Sequence, residues 1–165
     1  MAITRIGGAN AISGTIPAAN VATLTSSNLP TGSVIQVVSS GAASLATINS
    51  TSFVLSVSLA ITPSSSSNKI FIQFDGQYQQ DDSDNTASYS KLTRTVGGTE
   101  TSIFNTFTGR DRSGGAFAWS PNFGYLDSPN TTSEVTYKLF GKTENSNSDW
   151  RTREHTILNA FEIKG

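Results

Sequence analysis

A chain of 165 residues without cysteine and with a net charge of -1 excludes several classes of protein at once. The lack of cysteine rules out disulfides, thiolate metal sites and cysteine nucleophiles, and the near-neutral charge disfavours nucleic acid as a partner. The start of the chain lacks the charged and apolar regions of a secretory signal, and no window approaches the roughly 20 apolar residues of a membrane span. We therefore expect no nucleic-acid partner and no membrane insertion.

The charged residues are distributed unevenly along the chain. From residue 6 to residue 68 there is no Lys, Arg, Asp, Glu or His, and Arg5 is the single charged side chain before that stretch. A soluble monomer intersperses charges over its surface, where they also keep strands from pairing with other chains. The uncharged stretch therefore predicts a surface that contacts protein, that is, assembly.

Residues 1–33 are predicted to form an extended arm that anchors the protein. The apolar residues recur with neither helical nor strand period, and glycines and prolines interrupt any helix. Fixing about 33 residues costs on the order of 30 kcal/mol in backbone entropy, so an ordered arm must be docked along neighbouring subunits. The alternatives are a flexible tail or a short helical turn within 18–24. The predicted anchoring residues are Ile3, Arg5, Ile6, Ile12, Ile16, Pro17, Val21, Leu24, Leu29 and Pro30.

After the arm, the sequence alternates as β-strands do. Residues 33–38 read as a short strand, and the run 63–68, rich in serine, turns the chain. Two predicted inward faces flank that turn because apolar residues occupy every second position. The first face is Phe53, Leu55, Val57, Leu59 and Ile61, and the second is Ile70, Ile72, Phe74 and Tyr78.

The second half of the chain continues the same pattern. Residues 88–96 and 99–107 are predicted to pair as a hairpin, because Gly97 and Gly98 supply the positive φ of a two-residue turn. Further strands are expected at 116–119 and 123–126, around Val135, Tyr137 and Leu139, and finally at Ile157, Asn159, Phe161 and Ile163. Seven or eight short strands without an amphipathic helix predict an all-β fold. We expect an extended N-terminal arm, 1–33, followed by a jelly-roll-like antiparallel β-sandwich domain, 34–165.

The titratable residues give no catalytic constellation. His155 is the single histidine, and a triad or zinc site needs further converging groups. The scattered carboxylates offer no pair that the sequence can place across a cleft, as glycoside cleavage requires. We expect no enzymatic activity and no cofactor.

An acidic loop and an aromatic segment are candidate contact regions. Asp81, Asp82 and Asp84 resemble a calcium-binding loop in their spacing but lack the glycine and terminal glutamate of an EF-hand, so a solvated loop tip is favoured. Aromatic rings beside arginine are typical of binding hot spots, although such rings also fill a sandwich core. The candidates for outward or intersubunit contact are Asp81, Asp82, Asp84, Arg110, Arg112, Trp119, Tyr125 and, in a predicted loop before the last strand, Trp150.

Several segments resemble a β-sandwich module of bacteriophage virion surface proteins, of fibre or decoration type and especially from cyanophage-like viruses. They are VSLAITPSSSSNKIFIQF (57–74), LTRTVGGTE (92–100), LDSPNTTSEVTYKLFGK (126–142) and ILNAFEI (157–163). The leading GGANAISGTIPAANVATLTSSNLPTGSVIQVV is similar to the leader of such proteins.

The resemblance implies a homotrimer located in the virion. Its role would be that of a head decoration (cement) protein, with partners among the major capsid or tail proteins. The alternative is a short tail fibre or fibre tip that contacts a host receptor. A stand-alone lectin would leave the uncharged arm unexplained.

Overall fold

The structure is a computed structural model, and it describes residues 25–41, 46–75, 78–81, 86–110, 117–119, 123–146, 149–152 and 156–165. The chain divides into two units, Met1–Pro30 and Thr31–Gly165. In the first unit a 3-10 turn, Ser26–Asn28, follows Thr25, whose backbone N–H donates a hydrogen bond of 3.1 Å to Asn28 Oδ1. The predicted anchoring residues before position 25 lie outside the described residues.

The described part of the second unit is built from β-strands and contains no α-helix. The strands are β1 (Val34–Ser39), β2 (Ala46–Ile48), β3 (Val54–Ile61), β4 (Lys69–Asp75), β5 (Tyr78–Asp81), β6 (Ala87–Val96), β7 (Thr99–Arg110), β8 (Phe117–Trp119), β9 (Phe123–Asp127), β10 (Val135–Thr143), β11 (Asp149–Thr152) and β12 (Ile157–Ile163).

The strands form three four-stranded antiparallel sheets. The first sheet has the order β1-β12-β4-β9, the second β3-β10-β6-β7 and the third β2-β11-β5-β8. Each strand of the third sheet directly precedes or follows, along the chain, the strand that holds the same place in the first sheet. The first and third sheets are therefore formed by the same four long segments of the chain, arranged in the same order.

When these four segments are counted once each, the topology is a jelly roll. Eight strand segments then form two four-stranded sheets, and all neighbours in each sheet except the β6–β7 hairpin are distant in sequence, as in a double Greek key. Buried side chains from all three sheets form one hydrophobic cluster, so the sheets pack face to face. The predicted all-β, jelly-roll-like sandwich is confirmed.

Period-two alternation correctly predicted most of the core. Ile70, Ile72 and Phe74 are fully buried, and Val135, Tyr137 and Leu139 face them from the second sheet with equally complete burial. The hairpin is also confirmed: Gly97 and Gly98 connect β6 to β7 with φ values of 55° and 82°. Both residues adopt the left-handed region, which the twist of a two-residue hairpin turn requires.

Two predicted inward residues, Phe53 and Leu55, point out, and a bulge explains why. On β3, Val57 pairs with Leu139 but Leu55 pairs with Phe140, so Ser56 is the extra residue of a β-bulge. The extra residue reverses the side of the sheet that the preceding residues of this segment face. Leu55 is therefore 47% exposed, whereas Val57 is buried.

The last strand is confirmed, but its buried residues are the alternate set. In β12 the core receives Leu158, Ala160 and Glu162, while Phe161 and its outward neighbours remain half-buried. Glu162 is only 1% exposed although it carries a carboxylate. Its hydrogen bonds, described below, explain how the fold tolerates this group.

Candidate functional site

An apolar row crosses the outer face of the first sheet. In register, Val37 on β1 lies opposite Phe161 on β12, Phe161 opposite Phe71 on β4, and Phe71 opposite Leu126 on β9. Val37 is 58% and Leu126 49% exposed, and the two rings between them are half-buried with centroids 6.1 Å apart. These four side chains, the apolar row, join all four strands of the face.

The face around the apolar row carries little charge. In the described strands of the first sheet, the outward charged side chains are Lys69 and Asp75, which lie at the two ends of β4. The edge strand β1 lies within the uncharged stretch of the sequence. Edge strands of soluble proteins usually carry charges that prevent pairing with other chains. This face therefore has the composition of a contact surface.

A glycine positions one ring of the row. Gly124 on β9 lies beneath Phe71, and a Cβ atom at this position would come within 2.5 Å of Phe71 Cζ. The lack of a side chain lets the ring lie across the neighbouring strand, an arrangement in which an aromatic covers an exposed glycine. The Phe71 ring therefore occupies the space that a side chain at position 124 would fill.

The outer face of the second sheet has a different character, with lysines set among aromatic rings. Lys91 Nζ lies 4.7 Å from the centroids of both Phe53 and Phe140. Lys142 Nζ lies 5.1 Å from the centroids of Phe53 and Tyr89. The Phe53 ring thus contacts both ammonium groups.

A hollow of about 490 Å³ opens beside these groups. This volume lies within the range of ordinary small-molecule sites. We call this the lysine–aromatic hollow, and it is lined by Phe53, Tyr89, Ser90, Lys91, Ser102, Asn105 and Lys142.

A third lysine on this face is neutralised. Lys138 Nζ pairs with Glu100 Oε2 at 2.8 Å, and this hydrogen bond holds the pKa of the Glu100 carboxyl below its ordinary value. Among the described residues, neither Lys91 nor Lys142 forms an ion pair with a carboxylate. The charge of Lys91 also helps to lower the pKa of Glu100, so that carboxylate offsets part of it, and the hollow presents two lysines without a direct carboxylate partner in the described part of the chain.

Two polar networks stabilise the sandwich beneath these faces. Asp127 on β9 accepts hydrogen bonds from Arg94 Nη1 at 2.8 Å and from the Tyr137 hydroxyl at 2.7 Å, both from the second sheet. Burial, with this hydrogen bond, raises the pKa of the Tyr137 phenol well above its ordinary value of 10.0. The carboxylate is only 6% exposed, so the pair links the two sheets inside the core.

The second network anchors the serine-rich turn between β3 and β4. Glu162 Oε1 accepts hydrogen bonds from the Ser64 backbone N–H at 2.6 Å, from Ser64 Oγ at 2.9 Å and from Asn68 Nδ2 at 2.6 Å. Several donors converge on one buried carboxylate, which is the condition for burying a charge without a partner ion. Both networks therefore have a structural role.

One of the predicted contact residues needs correction. Trp150 lies on strand β11, not in a loop, and its ring is 1% exposed in the core of this chain, against Gly141. Tyr125 occupies an inward position on β9, opposite Ile72, and packs against the core beside Phe104. Trp150 is therefore not a candidate outward contact, whereas Tyr125 is only partly buried and its contact role stays a prediction.

The remaining predicted contacts are not tested. Asp82, Asp84 and Arg112, like His155, lie outside the described residues, as do the side chains of Asp81, Arg110 and Trp119. The calcium hypothesis for the acidic loop therefore stays a prediction. Within the described ranges, no group of three or more metal-ligating side chains occurs. Nor does that part of the chain contain a helix long and apolar enough to cross a membrane.

Sequence reasoning missed both outer-face features. Period-two alternation places Phe71 on the face away from the core, but the row depends on strands 34–39, 123–127 and 157–163, whose register the sequence does not show. The hollow combines Phe53, which directly precedes β3, with residues of β6, β7 and β10. The period-two spacing of Lys138, Phe140 and Lys142 is a local signal for it.

No family model and no curated protein matches the chain. A structure of infectious bursal disease virus, Gt strain, is similar over 90% of this chain and 42% of its own chain, with 10% identity and a TM-score of 0.47. A structure of the Gx strain of that virus covers 79% of this chain and 32% of its own, with 11% identity and a TM-score of 0.44. This chain thus spans less than half the length of either. Neither comparison names a bacteriophage protein, so the resemblance to phage surface proteins stays a prediction.

Proposed function

We propose that the protein is a structural subunit of a virion, and that copies of it pack together through the apolar row. The observation that carries the proposal is this row, in which Val37, Phe161, Phe71 and Leu126 cross every strand of one sheet face. The jelly-roll topology is consistent with it, since the fold is used in viral capsid proteins, although it also serves lectins and cupins.

The partner at the row is a second copy of this chain. The face carries charge only at the ends of β4 among its described strands, so a copy brought against it meets no uncompensated charge in the middle. Most soluble oligomers are symmetric assemblies of one chain. A homotrimer, as the sequence resemblance implies, is the proposed state.

The first candidate role is head decoration. Residues 1–33, uncharged after Arg5, would run along capsid subunits, while the sandwich projects as a knob. Contacts that bind only the assembled shell stabilise it by mass action, because rupture then requires breaking them as well. Such contacts between capsomers would make the protein a cement.

The second candidate role is a short tail fibre or fibre tip. The lysine–aromatic hollow favours it, because a receptor-binding protein needs a ligand site on an outer face and a cement protein does not. In this role residues 1–33 would attach the protein to the tail.

Labelling purified particles with an antibody against residues 31–165 tests the proposal. We expect label on the head in hundreds of copies for a decoration protein, or on the tail in few copies for a fibre. Particles that carry no label at all would contradict a virion role. Deleting residues 1–30 should leave the second unit folded by circular dichroism but unable to attach to particles.

A further inference from the structure

We propose that the lysine–aromatic hollow binds a carboxylate-bearing saccharide, with the carboxylate held between Lys91 and Lys142. The proposal does not rest on a virion role, because the hollow lies on the outer face of the second sheet and the apolar row lies on the first. Its three supporting features are charge, shape and hydrogen-bonding groups.

The charge selects an anion. Lys91 and Lys142 both contact the Phe53 ring, and within the described residues neither is paired with a carboxylate. Both ammonium groups line the same hollow, so an anion bound there is attracted by two positive charges. The neighbouring Lys138, by contrast, is already paired with Glu100.

The shape selects a ligand larger than a simple ion. The hollow measures about 490 Å³, and Phe53 and Tyr89 give it apolar walls. Aromatic rings pack against the C–H faces of sugars, while amphipathic side chains accommodate a ligand with one apolar and one polar side. An inorganic anion would bind the ammonium groups but would make no contact with these two rings.

The polar lining fits hydroxyl groups. Ser102 and Asn105, both exposed, lie on β7 beside the lysines, and the Ser102 hydroxyl is 3.5 Å from Asn105 Oδ1. A hydrogen bond of this length is weak, so a hydrogen bond from either group to a ligand can replace it. A hydroxyl and a primary amide together offer both donors and acceptors, which matches the alternating requirements of sugar hydroxyls.

Nucleic acid is a poorer fit to the same groups. The net charge of the chain is -1, so no general attraction for a polyanion exists. Phosphate recognition also commonly uses arginine forks, and no arginine is among the residues that line the hollow.

Titration of the full chain with a galacturonate oligosaccharide tests the proposal, followed by NMR shift mapping and calorimetry. The control ligand is the methyl ester of the same oligosaccharide, which keeps the sugar and removes the charge. We expect the acid form to bind, binding to weaken with added salt, and the ester to bind about tenfold more weakly or worse. Equal binding of acid and ester, or no binding of either, would overturn the proposal.

Variants locate the site. Lys91→Gln and Lys142→Gln should each weaken binding of the acid oligosaccharide about tenfold or more, and Lys91→Arg should largely retain it. The matched control is the double substitution Lys138→Gln with Glu100→Gln, since Lys138 shares the face but does not line the hollow, and removing both charges leaves no released carboxylate beside Lys91. It should bind as the unmodified protein does, and if it weakens binding as much as Lys91→Gln, the assignment to the hollow fails.

Competition separates the ligand classes. Acetate, inorganic phosphate and a short DNA duplex should each displace the oligosaccharide only at far higher concentration. Displacement by acetate or phosphate at equal concentration would show a simple anion site, and displacement by the duplex would show a nucleic-acid surface. Either result would replace the saccharide proposal.

Discussion

The hydroxyl of Tyr137, on β10 of the second sheet, donates a 2.7 Å hydrogen bond to Oδ2 of Asp127, on β9 of the first sheet. Arg94 donates to both oxygens of the same carboxylate, at 2.8 and 3.1 Å. One carboxylate therefore accepts donors from two strands of the opposite sheet. The link fixes how the sheets sit over each other and so supports both outer faces.

The first prediction concerns alkaline pH. Because burial raises the pKa of Tyr137, the folded chain keeps the phenol protonated after the unfolded chain has lost its proton. The stability that the protonated Tyr137 phenol gives the folded chain is fully present below pH 10, the pKa of the unfolded chain, and is lost as pH rises above it. The free energy of unfolding should fall with pH more steeply in the unmodified protein than in Tyr137→Phe, by up to about 1.4 kcal/mol per pH unit. Urea unfolding between pH 9 and 11 measures this, and equal slopes would refute it.

The second prediction concerns the carboxylate of the same link. Asp127→Ala removes the acceptor of the buried Tyr137 hydroxyl and the ion-pair partner of Arg94, whose side chain is 24% exposed and keeps the Ser128 carbonyl within 3.4 Å. We expect a loss of about 2–3 kcal/mol in the free energy of unfolding, chiefly because a buried hydroxyl loses its acceptor. The exposed pair of Lys138 and Glu100 provides the control, since Glu100→Gln should cost less than about 1 kcal/mol. Comparable losses from the two substitutions in denaturant unfolding would show that the buried carboxylate of Asp127 contributes no more to stability than an exposed ion pair.

The third prediction concerns the anchored turn. Glu162→Ala should destabilise the chain by about 2–4 kcal/mol, because donors from Ser64 and Asn68 lose their acceptor inside the protein. Glu162→Gln keeps an oxygen at the same place and should cost less. Hydrogen exchange at the Ser64 amide gives a local readout, and it should accelerate in Glu162→Ala. Unchanged protection there would mean that the carboxylate does not hold the turn.

The fourth prediction compares two glycines whose Cβ atoms would meet aromatic rings. At Gly141 a Cβ would come within 2.5 Å of the Trp150 ring, which is buried and cannot move aside. Gly141→Ala should therefore cost about 1–3 kcal/mol through overpacking. At Gly124 the Cβ meets the tip of Phe71, which is half-exposed and can rotate outward, so Gly124→Ala should cost less. Thermal unfolding of both variants tests the order, and the reverse order would contradict it.

The fifth prediction concerns self-association through the apolar row. Val37 and Leu126 are the exposed ends of the row, so Val37→Lys or Leu126→Lys would bury a charge in any contact made there. Each should convert the proposed trimer to monomer without loss of fold. Leu55→Lys is the control, because Leu55 is equally exposed but lies on the second sheet. Light scattering measures the oligomeric state of each protein. If the unmodified protein is a monomer, or if the two row variants remain trimers, the apolar row is not the contact between copies.

The sequence predicted strands better than it predicted which of their faces is buried. Ile70, Ile72 and Phe74 form an entirely apolar set, whereas the alternate set of β4 contains Lys69, Gln73 and Asp75 besides Phe71, so their facing could be read directly. In β12 both sets contain apolar residues, and the outward set is the more hydrophobic, so periodicity gave no clue that Glu162 would lie inside. Leu55 was misplaced because a one-residue bulge inverts the alternation, and nothing in the sequence around Ser56 marks it.

The sequence by itself determined the all-β class, the two-glycine hairpin and the uncharged leading third, because each depends on neighbouring residues or on composition. Tertiary structure alone decided the apolar row, the lysine–aromatic hollow and the burial of Trp150. In a jelly roll the paired strands are distant along the chain, so such sites form only when long-range register brings Phe71 against Phe161, or Lys142 against Phe53. That register is set by the packing of the whole core, which no local pattern contains.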